Sequence, residues 1–305
     1  MKRILIALGV LLAIGLRAQS RDPLVREGAA IKVSPHVFVI PDDDVPLVAN
    51  IGIVVGTRGT LVIDTGLGPR NGEAVAREAA KVSRGPELYL AVTHVHPEHD
   101  LGAQAFPANT RVLRSRGEDA DIAEFGLQLA ETFAKQSPIR AELLKGATYR
   151  KTDIAFDGSY TLDLGGVRVQ LLAVGPTHTR GDTAAFVEGD RTLFAGDVVM
   201  SAFPAFASPY SSVRAWLVAL DRLGALDPQV IVPSHGKLGD KAAIDKYREY
   251  LQAVQSRTRE LKRQGTSIDN AAQIVQAELQ ARFSGMAQPA RIAGAVRAAY
   301  SEESR

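Results

Sequence analysis

The chain has 305 residues, 46% of them hydrophobic and 23% charged. That composition can pack a core and excludes an intrinsically disordered chain. The 36 basic and 34 acidic residues nearly cancel, and three of the cations (Lys2, Arg3 and Arg17) fall within the first twenty positions, so the remainder offers no basic surface for nucleic acid. Cysteine is absent, which rules out disulfides, thiol catalysis and zinc–thiolate sites.

Residues 1–20 place two cations before an apolar run from Ile4 to Leu16 and end in Ala18-Gln19-Ser20. This is the order of a cleavable secretory signal. The run is shorter than the about 20 residues needed to cross a bilayer as a helix. The expectation is therefore a periplasmic or secreted protein with no stable membrane insertion after cleavage.

Short strands rich in Val and Ile are predicted at His36–Ile40, Ile51–Gly56 and Thr60–Asp64, with a turn at Gly56–Gly59. Helical spacing follows over Asn71–Ser83. A strand over Leu88–Thr93 runs into a group of histidines. Arg111–Arg114 reads as a strand, and Glu118–Lys135 as a helix with Ile122, Phe125, Leu129 and Phe133 on one face. A second batch of strands covers Tyr160–Leu164, Val167–Val174, Thr183–Glu188 and Thr192–Phe194. Then come a helix at Val213–Leu223, a strand at Val230–Val232 and a long helix at Lys241–Lys262. Two more helices are predicted over Ile268–Phe283 and Pro289–Tyr300, the latter with proline in its first turn. Strands in two batches, each followed by helices, suggest two sheets stacked face to face with helices outside.

Three of the six histidines lie in Thr93-His94-Val95-His96-Pro97-Glu98-His99-Asp100. Side chains alternate along an extended segment, so His94 and His96 share one side of it. Pro97 turns the chain and lets His99 enter the same space. Neutral imidazole is the commonest metal ligand, with carboxylate a frequent companion. Packed together without a cation, these groups would be desolvated and would repel once protonated. Four further apolar segments end in a candidate ligand or orienting group: Asp64 after Leu61–Ile63, His178 after Leu171–Val174, Asp197 after Leu193–Ala195, and His235 after Val230–Val232.

With these motifs in this order, the sequence resembles the metallo-beta-lactamase superfamily from about Ile31 to Lys262. The resemblance implies an α+β fold, a four-layer αββα sandwich, with a dinuclear metal site, usually zinc, at one edge between the sheets. It implies His94, His96 and His178 around one metal, His99 and His235 around a second, and Asp197 bridging the two. Asp64 would orient ligands without binding metal. Glu98 stands where the family usually has Asp. It is expected to ligate the second metal, the alternative being a weakened or partly occupied second site, and Asp100 is the neighbouring carboxylate able to compensate. The domain reading is a signal peptide at 1–20, the sandwich at 21–265 and a helical extension at 266–305, which either covers the fold or pairs with a second copy in a homo-oligomer.

Zinc lowers the pKa of water to near 7, and a second metal polarises the substrate. The expected activity is an exported hydrolase that uses a metal-bound hydroxide to cleave an ester, thioester or lactone of a small molecule, with Glu98 or Asp197 handling the proton. Asp197 favours this over β-lactam amide cleavage, the second reading. Iron in the same ligands, giving a redox or accessory protein, is a third. Phosphoester cleavage is disfavoured because no arginine or lysine clamp is recognisable, Arg180 being read as a surface charge. Pro41–Leu47 is either a flap over the metals or a solvated acidic turn. Phe203, Phe206 and Tyr210 either line a pocket or pack under the C-terminal helices. Trp216 is expected in the core, and His36 is expected to be structural.

Overall fold

The computed structural model describes residues 21–200, 205, 208–286 and 288–302. The leader, Phe203 and Phe206 lie outside the described residues.

The first batch of strands forms one seven-stranded sheet in sequential order. Its members are β1 (Ile31–Ser34), β2 (Val37–Ile40), β3 (Ile51–Val55), β4 (Gly59–Ile63), β5 (Glu87–Ala91), β6 (Arg111–Ser115) and β7 (Ile154–Phe156). β1 to β4 pair antiparallel, as hairpins allow. From β4 to β7 the pairing is parallel. Each parallel step needs a crossover, and helical segments supply it: α1 (Gly68–Val82), α2 (Pro97–Asp100), then α3 (Arg116–Asp121), α4 (Leu127–Ala134) and α5 (Pro138–Leu143). The second batch forms a five-stranded sheet in the order β12-β11-β10-β9-β8, from β8 (Ser159–Asp163), β9 (Arg168–Ala173), β10 (Thr183–Val187), β11 (Thr192–Gly196) and β12 (Val230–Pro233). Four helices follow its strands: α6 (Val213–Ala225), α7 (Lys241–Arg263), α8 (Ile268–Arg282) and α9 (Ile292–Glu302).

Strand periodicity sorts the apolar residues into three cores. Val54, Leu61 and Ile63 face Val169, Leu171 and Phe194 between the sheets. Their neighbours Ile53, Val55 and Val62 point the other way, onto Val75 and Ala79 of α1. On the far side, Leu172, Phe186, Leu193 and Ile231 pack against Trp216, Leu223, Tyr247 and Leu251. The result is the four-layer αββα arrangement. Strands covered on both faces read as continuous apolar runs, and every residue of β3, β4, β10 and β11 is buried. Gly52 of β3 lies against the Phe194 ring. A Cβ there would come within 2.4 Å of it, so the sheets meet where only a hydrogen side chain fits.

Trp216 is buried as expected, its indole donating to the Val198 carbonyl at 2.8 Å. His36 is structural: its backbone N–H and its ring hold Asp190, both at 2.7 Å. The strands β1 and β7 and the helix α5 have no counterpart in the sequence reading. Both are sheet edges; β1 mixes polar and apolar residues, and the apolar run of β7 is only three residues long. The helix expected over Glu118–Lys135 is one path interrupted by a π-helical turn at Ile122–Gly126. Its apolar stripe is not core, since no residue of α4 is fully buried. The apolar faces of α8 and α9 (Val275, Leu279, Ile292 and Val296) are buried within the same chain against α6 and α7. Among the described residues, no helix is long and apolar enough to cross a membrane.

Candidate metal centre

All the singled-out polar residues follow the carboxyl ends of strands. Asp64 follows β4 and the His94–His99 segment follows β5. These two strands are parallel, so both turns lie at the same edge. In the other sheet β10 runs antiparallel to both β9 and β11, and β12 runs parallel to β11. The loops after β9, β11 and β12, carrying His178, Asp197 and His235, therefore emerge at one edge too. Open sheets commonly place ligand sites there.

The side chains converge in two groups. His94, His96, His178 and Asp197 form one, and Glu98, His99 and His235 the other. In the first, His94 Nε2 and His178 Nε2 lie 3.0 and 3.3 Å from His96 Nδ1. Asp197 Oδ2 is 3.4 Å from His178 Nε2 and 4.0 Å from His94 Nε2. The other oxygen, Oδ1, faces His235 Nε2 at 3.9 Å. Ligands on a tetrahedral ion with bonds near 2.05 Å stand about 3.3 Å apart, within the range seen here. Asp197 thus presents one oxygen to each group.

Polar atoms left without partners show that the residues present fit a cation. Glu98 Oε2, His99 Nε2 and Asp197 Oδ1 are buried with no hydrogen-bond partner. A buried polar atom without a partner costs about 1–3 kcal/mol, more if charged. Three such atoms turned toward one space, beside ring nitrogens crowded at 3.0–3.3 Å, suit a bound cation. A donor set of imidazole and carboxylate suits zinc or iron.

Buried partners fix which ring atom faces inward. Asp64 accepts His99 Nδ1–H at 2.8 Å, and the Thr93 hydroxyl and amide at 2.9 and 2.8 Å. The same hydroxyl oxygen lies 3.1 Å from His94 Nδ1. One carboxylate therefore turns the Nε2 atoms of His94 and His99 toward the centre. Asp64 does this from a left-handed backbone, φ 65°, a region few non-glycine residues occupy. His235 Nδ1 donates to the Val48 carbonyl at 3.0 Å. Asn50 clamps the same loop, its side-chain amide donating to Pro233 O and Gly236 O, both at 2.8 Å. Asp42 accepts from Gly236 N at 2.7 Å. The His178 loop is held by Asp182, which accepts the Thr179 amide at 2.7 Å and hydroxyl at 2.6 Å.

Burial, with neighbouring imidazoles adding to it, holds His94 and His96 well below the ordinary imidazole pKa. Both are neutral and ready to donate a lone pair. Burial also disfavours charge on His99, but the Asp64 carboxylate outweighs it and raises that ring to about 9. Burial would raise Asp197 as well; the facing imidazoles of His235 and His178 win and lower it to about 2.

Glu98 lies with His99 and His235. Asp100 cannot compensate for it, because both its oxygens are taken by the buried Arg114 at 3.0 and 2.5 Å. Arg180 is tied to Asp121 and Glu124 and stacks over Tyr210. Beside the donors opens a cavity of about 690 Å³. The segment Asp42–Leu47 contributes to its wall, as a flap would, and so do Leu129 and Phe133. The Phe133 ring stands 6.0 Å from that of His96. Two lining cations, Arg140 and Arg291, were missed from sequence. No local motif marks either, and they are 151 positions apart.

A family model described as "Metallo-beta-lactamase superfamily" matches residues 44–235. The acyl-coenzyme A thioesterase MBLAC2 of Gallus gallus is 30% identical over 186 residues, covering 57% of this chain and 66% of that protein. A linear primary-alkylsulfatase from a Pseudomonas strain is 22% identical over 220 residues, covering 61% and 41%. The chain therefore spans less than two thirds of the length of either relative. Among solved structures, the sec-alkylsulfatase Pisa1 from Pseudomonas superposes with TM-score 0.69 at 14% identity, over 90% of this chain and 50% of that one.

The clamp on the His235 loop gives a first prediction. Asn50→Ala should weaken metal retention at the Glu98/His99/His235 group by about 10–100-fold, the usual effect of losing an outer hydrogen bond. Chelator competition with metal analysis reads this, and unchanged retention would show that Asn50 does not position His235. A second prediction concerns pH. Without metal, His99 holds a proton below about pH 9, and metal must displace it from Nε2. Affinity at that group should fall by up to about tenfold for each unit of pH below 9. Competition titrations across that range measure it; a flat profile would contradict it.

Proposed function

The chain belongs to the metallo-beta-lactamase superfamily, and we propose that it is a metal-dependent hydrolase that cleaves the ester or thioester bond of a small molecule, with zinc in both donor groups. The observation that carries this reading is Asp197, one oxygen toward each histidine group, in the wall of a cavity that Val45, Leu47, Leu129 and Phe133 also line. Such a wall suits an acyl chain. Similarity to an acyl-coenzyme A thioesterase supports the thioester class.

When bound, a zinc pair supplies Lewis acidity: it lowers the pKa of water and draws electron density from the scissile carbonyl. The chain's own residues do the rest. Asp64, Thr93, Val48, Asn50 and Asp182 hold the ligating loops before substrate arrives, so little reorganisation is left to the reaction. Asp197 stays ionised, lowered to about 2. We assign to the Glu98 carboxylate, which lies with His99 and His235, the proton that leaves the attacking water. Glu98 then returns it to the departing alkoxide or thiolate as the acyl bond breaks. The Val45–Leu47 flap and Phe133 shield the acyl portion from water.

The test is metal analysis of protein purified without added metal, with a panel of thioester, aryl ester, lactone, nitrocefin, alkyl sulfate and aryl phosphodiester, each with and without chelator. Two zinc ions per chain and chelator-sensitive turnover of the thioester or ester are expected. His96→Ala or His178→Ala should lose metal and about a thousandfold or more in rate, since the metal supplies several kcal/mol. Iron, or turnover of nitrocefin or the alkyl sulfate alone, would overturn the assignment. We also propose that the Met1–Ser20 pattern directs export. Amino-terminal sequencing of the fractionated protein should find a chain starting just past that segment, and an intact Met1 in the cytoplasm would refute it.

A further inference from the structure

We infer that Tyr149 is a positioning residue of the metal centre: its hydroxyl fixes the backbone from which His96 reaches the ion, and it joins that backbone to the helix path behind the cavity wall. This rests on reading the histidine groups as metal ligands, and it adds a residue that lies outside every strand-end motif. His96 differs from its neighbours in two ways. Its inward atom is Nδ1, which lies 3.0 and 3.3 Å from the Nε2 atoms of His94 and His178. Nδ1 is one bond nearer the backbone than Nε2, so backbone placement governs it more directly. His94, His99 and His235 each meet a polar partner at the outward ring nitrogen: Thr93, Asp64 and Val48. Among the described residues no such partner stands behind His96, whose ring meets the other imidazoles and, at 6.0 Å, Phe133. Ligating histidines are ordinarily oriented through that second nitrogen. For His96 the task falls to the main chain.

Tyr149 supplies the main-chain hold. Its hydroxyl donates to the Val95 carbonyl at 2.9 Å. That carbonyl shares a planar peptide unit with the His96 nitrogen, so fixing it fixes the unit that carries His96. The same hydroxyl oxygen lies 3.3 Å from the Gly126 carbonyl, at the end of the π-helical turn that leads into α4. Gly126 is buried against the phenol: a Cβ there would come within 2.9 Å of Tyr149 Cε2. Burial, with Asp100, Glu118 and Glu98 nearby, raises the phenol pKa, so the hydroxyl keeps the proton it donates. The chain on both sides of Tyr149 is anchored. Thr148 N donates to Gln104 Oε1 at 2.7 Å. Arg114 donates to Arg150 O at 2.7 Å and Thr152 Oγ1 at 3.0 Å, and it also holds Asp100. Residues 148–152 therefore brace the His94–Asp100 segment at Val95 and, through Arg114, at Asp100. Leu129 and Phe133 follow Gly126 on the same helix path and line the cavity, so one phenol links the wall to the metal loop.

The test loads the protein with cobalt(II), whose visible bands report ligand geometry. Chelator competition follows the two metal equivalents, assigned with His178→Ala and His235→Ala as references. Tyr149→Phe removes the hydroxyl and keeps the ring. It should weaken retention at the His94/His96/His178 group by about tenfold, leave the Glu98/His99/His235 group unchanged, and alter the cobalt bands of the first group. Gly126→Ala should act in the same direction, although alanine is the better helix former, because its methyl displaces the phenol. The double variant should lose no more than Tyr149→Phe alone, since both changes break one hydrogen bond. Circular dichroism verifies that each variant is folded. Retention and bands like those of wild type in folded Tyr149→Phe overturn the inference. Equal loss at both groups, or additive losses in the double variant, do so too, because they mark a general packing role. A wild-type chain that takes up no metal refutes the reading of the histidines as ligands. Nitrogen-15 NMR of labelled histidines in metal-free wild type and Tyr149→Phe then decides the positioning by itself. The His96 ring signal should shift or broaden while that of His36 stays, and an unmoved His96 signal overturns the inference.

Discussion

The structure is organised around the cost of burying ligating atoms that face one another. Ring nitrogens of His94, His96 and His178 crowd to 3.0–3.3 Å, and buried oxygens of Glu98 and Asp197 lack hydrogen-bond partners. A core would not tolerate this arrangement for packing alone, because each unpaired group forfeits its hydration. A cation removes the conflict. Stabilisation by metal and competence for chemistry therefore come from the same atoms.

Holding those atoms in place falls to residues that never face the centre. One carboxylate, Asp64, serves His99 directly and His94 through Thr93. Asn50 and Asp42 bind the His235 loop to the segment that also forms the cavity flap. The flap and the second donor group are thus mechanically continuous. Arg114 removes Asp100 from the competition by engaging both its oxygens. Glu98 is left as the carboxylate of the loop that lies with His99 and His235.

The cavity reuses elements that look like core. The stripe Ile122, Phe125, Leu129 and Phe133 has the spacing of a helix face packed on a sheet. In the fold that helix path contains a π-helical turn, and Leu129 and Phe133 become cavity wall. π-Helical turns are frequent at functional sites. The periodicity identified the apolar face correctly, but it carries no information about what the face meets.

Local pattern alone was enough to read much of this protein. Strand alternation, the two batches of strands and the strand-end motifs at Asp64, His94–His99, His178, Asp197 and His235 all rest on interactions between near neighbours in the chain, which a sequence records. Edge strand β1 escaped because its exposed positions are partly polar, and β7 because three residues are too short a run to mark a strand. Other properties needed the tertiary structure: the two-way reach of Asp197, the pairing of Asp100 with Arg114, the clamp of Asn50 on the His235 loop, and the lining of one cavity by residues as distant as Leu47, Phe133 and Arg291. Each joins residues whose separation along the chain is unrelated to their distance in space. The packing of two sheets and their helices sets that distance, so no local pattern encodes it.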